Sequence, residues 1–210
     1  ATVNHLRQLL LTLLTLYLLG GANGWTRETV TEQPFLIDFR ERFLPTVARN
    51  GMVVGPEQLA TEVGSRILQQ GGNAVDAAVA TGFALAVTYP SAGNLGGGGF
   101  MLIHLAEGNR QVFIDYRETA PAAASRDMFL LADGKEDLQR EYFSLQASGV
   151  PGTVAGLLHA LETYGSLSRQ QVLAPAIALA QDGIPVSFAH TYGLATAGER
   201  LRQDPEALRL

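Results

Sequence analysis

The sequence predicts an α+β fold, and three stretches carry that expectation. Leu59, Val63 and Ile67 recur every four residues, giving the single apolar stripe of a helix lying on a core. Residues 74–87 are apolar nearly all round, as in a helix enclosed on every side. Two apolar runs, Phe100–Leu105 and Gln111–Glu118, flank the turn-forming Glu107-Gly108-Asn109-Arg110, the pattern of a β-hairpin. Between the enclosed helix and the hairpin lies Tyr89-Pro90-Ser91-Ala92-Gly93-Asn94-Leu95-Gly96-Gly97-Gly98-Gly99-Phe100. Glycine suits backbone that must take positive φ or approach another group closely. Flexible linkers add Ser or charge, whereas Pro, Leu and Phe are wedged around these glycines.

Composition bounds the rest. At 47% hydrophobic and 17% charged over 210 residues, the chain is globular and long enough for one large domain, or a domain and a fragment. A net charge of −5 without a Lys/Arg run offers no basic stripe for nucleic acid. With no cysteine, disulfides, thiolate metal sites and a Cys nucleophile are excluded. The histidines His5, His104, His159 and His190 show no metal-ligand spacing.

Residues 1–22 read as an export signal. His5 and Arg7 precede the apolar run at 9–19, and Gly20-Gly21-Ala22 supplies small residues for cleavage. The run falls short of the about 20 apolar residues a membrane span needs, although an uncleaved anchor over 9–19 is the alternative. Residues 23–50 are an irregular lead-in, and 51–210 form the domain. Gly51-Met52-Val53-Val54 is a short strand candidate. The first helix covers 57–70 and is stopped by Gly71-Gly72. Asn73 caps the next, with Asp76 at its third position complementing the helix dipole. Tyr89-Pro90 ends it. The first hairpin strand is continuously apolar, so its sheet is expected to be covered on both faces. In the second, Phe113, Asp115 and Arg117 share a face. Thr119-Ala120-Pro121 closes the hairpin. A helical turn is expected in 122–130 and a turn at Asp133-Gly134. Ser148-Gly149-Val150-Pro151-Gly152-Thr153 opens a helix lined by Val154, Leu157, Leu158 and Leu161 and ended by Gly165. Ser168 caps a further run, Pro175 marks a new helix start, Gly183 closes that helix, and Ser187 caps the last.

Nucleotide chemistry fails on order and on residue type. A phosphate loop needs Gly-Lys-Ser/Thr where this chain has Gly98-Gly99-Phe100-Met101. A dinucleotide fingerprint runs strand, glycines, helix, the reverse of the order here. No Gly-x-Ser-x-Gly elbow is present. The most pointed polar residue is Arg117, at the end of an apolar strand between Asp115 and Glu118. Its guanidinium suits a two-pronged grip on a carboxylate, while spacing alone favours a strand-end salt bridge with a neighbouring acid.

Six stretches, in order, resemble the γ-glutamyltransferase (γ-glutamyltranspeptidase, glutathione hydrolase) family. They are Gly51-Met52-Val53-Val54, then Ala60-Thr61-Glu62-Val63-Gly64, and Gly71-Gly72-Asn73-Ala74-Val75-Asp76-Ala77-Ala78. Pro90 through Phe100, Asp115-Tyr116-Arg117-Glu118-Thr119-Ala120-Pro121 and Ser148 through Thr153 complete the series. The resemblance implies an N-terminal-nucleophile hydrolase, a four-layer αββα sandwich made as one precursor and cut into a large and a small subunit. It implies glutathione and other γ-glutamyl compounds as ligands, and neither metal nor organic cofactor. It also implies that Arg117 binds the α-carboxylate of the γ-glutamyl group, with Asp115 and Glu118 orienting it. The glycine run becomes a structural crossing that turns the 74–87 helix into the sheet. Periplasmic or secreted location fits the export signal.

The family's nucleophilic threonine lies in a Thr-Thr-His-like context far downstream. Thr153 and Thr191 do not match it, so the chain is expected to be the N-terminal part of the large subunit, inactive alone. Two alternatives remain: a cephalosporin acylase-like amidase, and a truncated exported protein that binds γ-glutamyl compounds or a partner without catalysis.

Overall fold

A computed structural model describes residues 45–92 and 94–209. The expected signal at 1–22, the anchor alternative at 9–19 and most of the 23–50 lead-in lie outside the described residues. The chain divides into two units, Ala1–Val47 and Ala48–Leu210. Of the first only 45–47 are described, and they are irregular. Among the described residues no helix is long and apolar enough to cross a membrane.

In the second unit, Gly51–Val54 forms no strand ladder, contrary to the strand reading. A strand needs a paired neighbour, and the sheet of the described residues contains only the hairpin. Helix α1 spans Gln58–Gln69. Glu57 stands outside it as the cap, its carboxylate accepting from the N–H groups of Leu59 and Ala60 at 3.0 and 2.9 Å. Burial works to raise the Glu57 pKa, but the nearby Thr88 hydroxyl, which makes no hydrogen bond among the described residues, and above all these N–H donors outweigh it and hold the group below its ordinary value. At the other end Gly71 takes φ +93°. Its N–H donates to the Leu68 carbonyl and that of Gly72 to the Ile67 carbonyl, both at 3.0 Å, the paired bonds of a glycine-terminated helix.

Helix α2 (Ala74–Thr88) is the centre of the core. It packs on α1, on helix α4 (Thr153–Tyr164) and on helix α5 (Arg169–Asp182). Val75, Ala77, Val79, Ala80, Phe83 and Ala84 are all buried, as its unbroken apolar pattern requires. Around them close Val63 and Ile67 of α1, Leu157 and Leu161 of α4 and Val172 of α5.

Strands β1 (Phe100–Leu105) and β2 (Arg110–Asp115) pair antiparallel, with Phe100 opposite Asp115 and Leu105 opposite Arg110. The turn between them places Gly108 and Asn109 at φ +72° and +48°. Met101, Ile103, Val112 and Ile114 point to the helical core. The opposite face is open: Phe100, Leu102 and Phe113 are 54%, 71% and 62% exposed. The expected two-sided cover is therefore absent among the described residues. The helices stand on one side only, and alternation sends every second apolar side chain away from them. β2 also ends at Asp115, so Arg117 lies beyond the strand instead of continuing its face.

Residues 122–130 form successive turns where a helical turn was expected, and Gly134 makes the expected turn at φ +81°. Helix α3 covers Leu138–Phe143. α4 begins and ends as expected, but Val154 is 41% exposed; its buried face is Thr153, Gly156, Leu157, Ala160 and Leu161. Ser168 caps α5 in a reciprocal pair with Gln171. Pro175 lies inside α5 rather than opening a new helix. It removes one backbone donor, yet the buried Val172 and Ala176 on either side keep that segment on the core. Helix α6 (Phe188–Leu201), capped by Ser187, and α7 (Pro205–Arg209) bury no residue among those described.

Candidate functional site

The segment carrying Arg117 runs between two glycine-rich stretches. On one side, Tyr116 N–H donates to the Gly99 carbonyl at 3.0 Å and Gly99 N–H returns a longer bond of 3.4 Å to the Tyr116 carbonyl. On the other, Thr119 and Val150 exchange N–H to carbonyl bonds of 3.3 and 2.9 Å, an antiparallel bridge. The two stretches also meet each other. The Gly97 carbonyl accepts from the N–H groups of Gly152 and Thr153 at 2.9 and 3.0 Å. These are the unpaired donors at the start of α4, so the glycine run itself supplies their acceptor.

The glycines are required here by proximity, not by φ, since none of Gly96–Gly99 takes a positive value. A Cβ added at Gly98 would lie 2.6 Å from the Tyr116 carbonyl oxygen and 2.7 Å from the Glu118 nitrogen. One added at Gly152 would fall 1.8 Å from the Tyr116 carbonyl oxygen. Bare backbone is the only material that fits on either side.

Tyr116 and Arg117 point in opposite senses. Tyr116 is half-buried against the core, faces α4 and lines a cleft with Leu157, and burial pushes its hydroxyl pKa up. Arg117 is exposed. Its own N–H donates to Asp115 Oδ1 at 3.0 Å, so that carboxylate folds back on the backbone. Among the described residues, neither Asp115 nor Glu118 bonds the Arg117 guanidinium, and no ion pair involves it. The expected orienting contacts are thus not made by these two acids. The Glu118 carboxylate lies over Gly97 and Gly98 instead. Among the described residues no group of His, Asp or Glu is arranged to hold a metal.

Asp76 does more than its position in α2 suggested. It is fully buried. Besides closing the reciprocal cap by accepting from Asn73 N–H at 2.8 Å, it accepts from Ser166 N–H at 2.9 Å, Ser166 Oγ at 2.6 Å and Leu167 N–H at 3.1 Å. Burial works to raise its pKa, but the Ser166 hydroxyl and the three N–H donors prevail and hold it below the ordinary value. Asp76 thereby ties the start of the central helix to the turn between α4 and α5.

Sequence reasoning found Arg117 and the glycine run but missed Gly152 and Gly156 as their counterparts. The signal was present: glycines four apart share one face of a helix entrance.

A two-stranded hairpin on a mainly helical core, the segment leaving it threaded between glycines, is an α+β segment of the N-terminal-nucleophile hydrolase type. The chain belongs to the gamma-glutamyltranspeptidase family, whose sequence pattern matches residues 60–210. It is 52% identical over 164 residues to the glutathione hydrolase proenzyme of Escherichia coli (strain K12), covering 78% of this chain and 28% of that protein. It is 42% identical over 178 residues to the acylase ACY 1 proenzyme of Pseudomonas sp. (strain V22), covering 82% of this chain and 32% of that protein. The fold matches the crystal structure of Helicobacter pylori gamma-glutamyltranspeptidase with a TM-score of 0.74 at 42% identity, over 78% of this chain and 47% of that one. The chain thus spans about 28% of the length of the first of these relatives, matching its N-terminal part.

Proposed function

We propose that this chain is a large-subunit segment of an enzyme that cleaves the γ-glutamyl amide of glutathione and related compounds. Arg117 grips the α-carboxylate of the γ-glutamyl group. The nucleophile is a threonine of the small subunit derived from the same precursor. Its hydroxyl adds to the γ-carbonyl carbon while its α-amine takes the proton. Collapse breaks the C–N bond, the proton passes to the leaving amine, and a γ-glutamyl ester remains on the threonine. Water, an amino acid or a peptide then accepts the acyl group. Backbone amides of the small subunit stabilise the oxyanion. In the complete protein the hairpin belongs to a four-layer αββα sandwich. The precursor is exported to the periplasm or beyond by a signal that includes residues 1–22, or anchored there by residues 9–19.

The observation that carries this reading is the presentation of Arg117. Its backbone is clamped on both sides while its guanidinium stands exposed, away from the acids beside it. Arg117→Lys in the complete enzyme keeps the charge but loses the planar fork. A loss of about 1.5–3 kcal/mol raises the apparent KM for a γ-glutamyl anilide by about 10–100-fold, with autocleavage intact. An unchanged KM removes Arg117 from the substrate site. Purified residues 23–210 alone release no anilide, and clear turnover by that fragment contradicts an external nucleophile.

A second reading, an acylase acting on other amides, is favoured by the 42% identity to acylase ACY 1. Parallel assays of the complete enzyme on glutathione and on a cephalosporin side-chain amide separate the two.

A further inference from the structure

We infer that Tyr116 is the positioning residue for Arg117, and that Gly156 of α4 sets how deeply it seats. This rests on the reading of Arg117 as the substrate-carboxylate ligand. Four glycines from two separate stretches, Gly98 and Gly99 on one side and Gly152 and Gly156 on the other, enclose this one residue. A Cβ at Gly156 would lie 2.2 Å from Tyr116 Cγ, 2.3 Å from its Cβ and 2.6 Å from Cδ1. From the other side, a Cβ at Gly99 would meet the far edge of the ring, Cε2, Cζ and Oη, at 3.0–3.1 Å. Gly152 closes on the carbonyl. Ring and carbonyl are therefore both held, and the next residue is Arg117. The planar peptide keeps the Arg117 Cα about 3.8 Å from the Tyr116 Cα, so a displaced Tyr116 backbone displaces the start of the arginine.

The socket works by shape. No hydrogen bond of the Tyr116 hydroxyl occurs among the described residues, so the ring, not the phenol, is what the glycines hold. Ordinary contact begins near 3.4 Å, so a methyl group at Gly156 falls more than an ångström short of the room it needs. Either the ring or α4 must move by that much, and Arg117 moves with the ring. Misplacing a substrate-positioning group by about 1 Å costs up to roughly 100-fold. α4 thereby controls donor recognition through Tyr116.

The test is Gly156→Ala in the complete enzyme, alone and combined with Arg117→Lys, with a γ-glutamyl anilide as donor. Gly156→Ala raises KM about tenfold or more, with kcat within about twofold per mature molecule. On the Arg117→Lys background it adds little, because the group it misplaces is already impaired. A purely structural role lowers the mature fraction without moving KM, and that outcome overturns the inference, as does a full multiplicative effect on the Arg117→Lys background. Should Gly156→Ala fail to mature, Tyr116→Leu and Tyr116→Phe carry the same test: Leu raises KM and Phe, which keeps the ring, restores it. Equal KM for these two overturns the socket. If Arg117→Lys raises KM while the socket variants do not, only the socket falls; if Arg117→Lys itself leaves KM unchanged, the reading of Arg117 falls first.

Discussion

Asp76→Asn isolates the electrostatic part of the central knot. The two side chains have the same shape, but the amide carries a donor where the carboxylate carries only acceptors. Oδ1 accepts from the N–H groups of Ser166 and Leu167, and Oδ2 from Asn73 N–H and the Ser166 hydroxyl. The least costly placement puts Nδ2 at the Oδ2 position, where the Ser166 hydroxyl can rotate to accept from it. Asn73 N–H is then left facing a donor, at a cost of about 1–2 kcal/mol for an unsatisfied buried group. Loss of charge weakens the remaining bonds and removes the favourable helix-dipole term, together about 1–2 kcal/mol more. The expected total is about 3 kcal/mol. With a urea dependence of about 2 kcal/mol per molar, the midpoint falls by about 1.5 M. Circular dichroism of the purified protein through a urea series measures this.

The pH dependence provides a second arm. The carboxyl of folded Asp76 lies below its ordinary value of 3.8. Its stabilisation is therefore complete above that value and is lost as pH falls through the folded value, because the unfolded chain takes up the proton first. The gap between parent and Asp76→Asn is thus constant from neutrality down to about pH 5 and narrows only in stronger acid. A midpoint shift below about 0.3 M, or a gap that narrows near neutrality, would falsify the assignment of Asp76 as a charged hub.

Two further outcomes follow from packing. Ile67→Ala empties a fully buried site facing α2; a loss of about 3 kcal/mol lowers Tm by roughly 6–12 °C, and calorimetry giving less than about 2 °C would mean that the site collapses or is not core. Gly98→Val drives a Cβ to within 2.7 Å of two backbone atoms of the Arg117 segment, so soluble yield and precursor maturation fall before donor affinity does. Normal maturation with selectively lost affinity points instead to direct ligand contact by the glycine run.

Local rules carried the helices well. Asn73, Ser168 and Ser187 cap where side-chain chemistry demands, and Gly71 and Gly183 stop helices at positive φ. These signals are short-range, so the sequence displays them directly. What it hid was long-range. Nothing near Asp76 announces that Ser166, ninety residues away, completes its shell. Pro175 looked like a start because a local rule cannot see the buried neighbours that hold α5 together across it. The continuous apolar run of β1 predicted cover on both faces, whereas among the described residues the core lies on one. Arg117 was visible as a residue type in an unusual place, and its clamped backbone was not, since the glycines facing it lie 18 to 39 positions away in the chain.

The contact between Gly98, Gly152 and the Tyr116–Glu118 backbone has an evolutionary consequence. Where two side chains touch, a larger residue on one side can be accommodated by a smaller one on the other, and lineages drift through such exchanges. Here, apart from the movable Glu118 carboxylate over Gly98, the atoms met on the far side are main-chain oxygen, carbon and nitrogen, which no substitution can shrink. The crossing therefore has no compensating partner. A saturation-mutagenesis map of this chain should show these glycines as isolated positions of near-total intolerance, unrescued by second-site changes at 116–118, while the open hairpin face accepts far wider variation in the same folding assay.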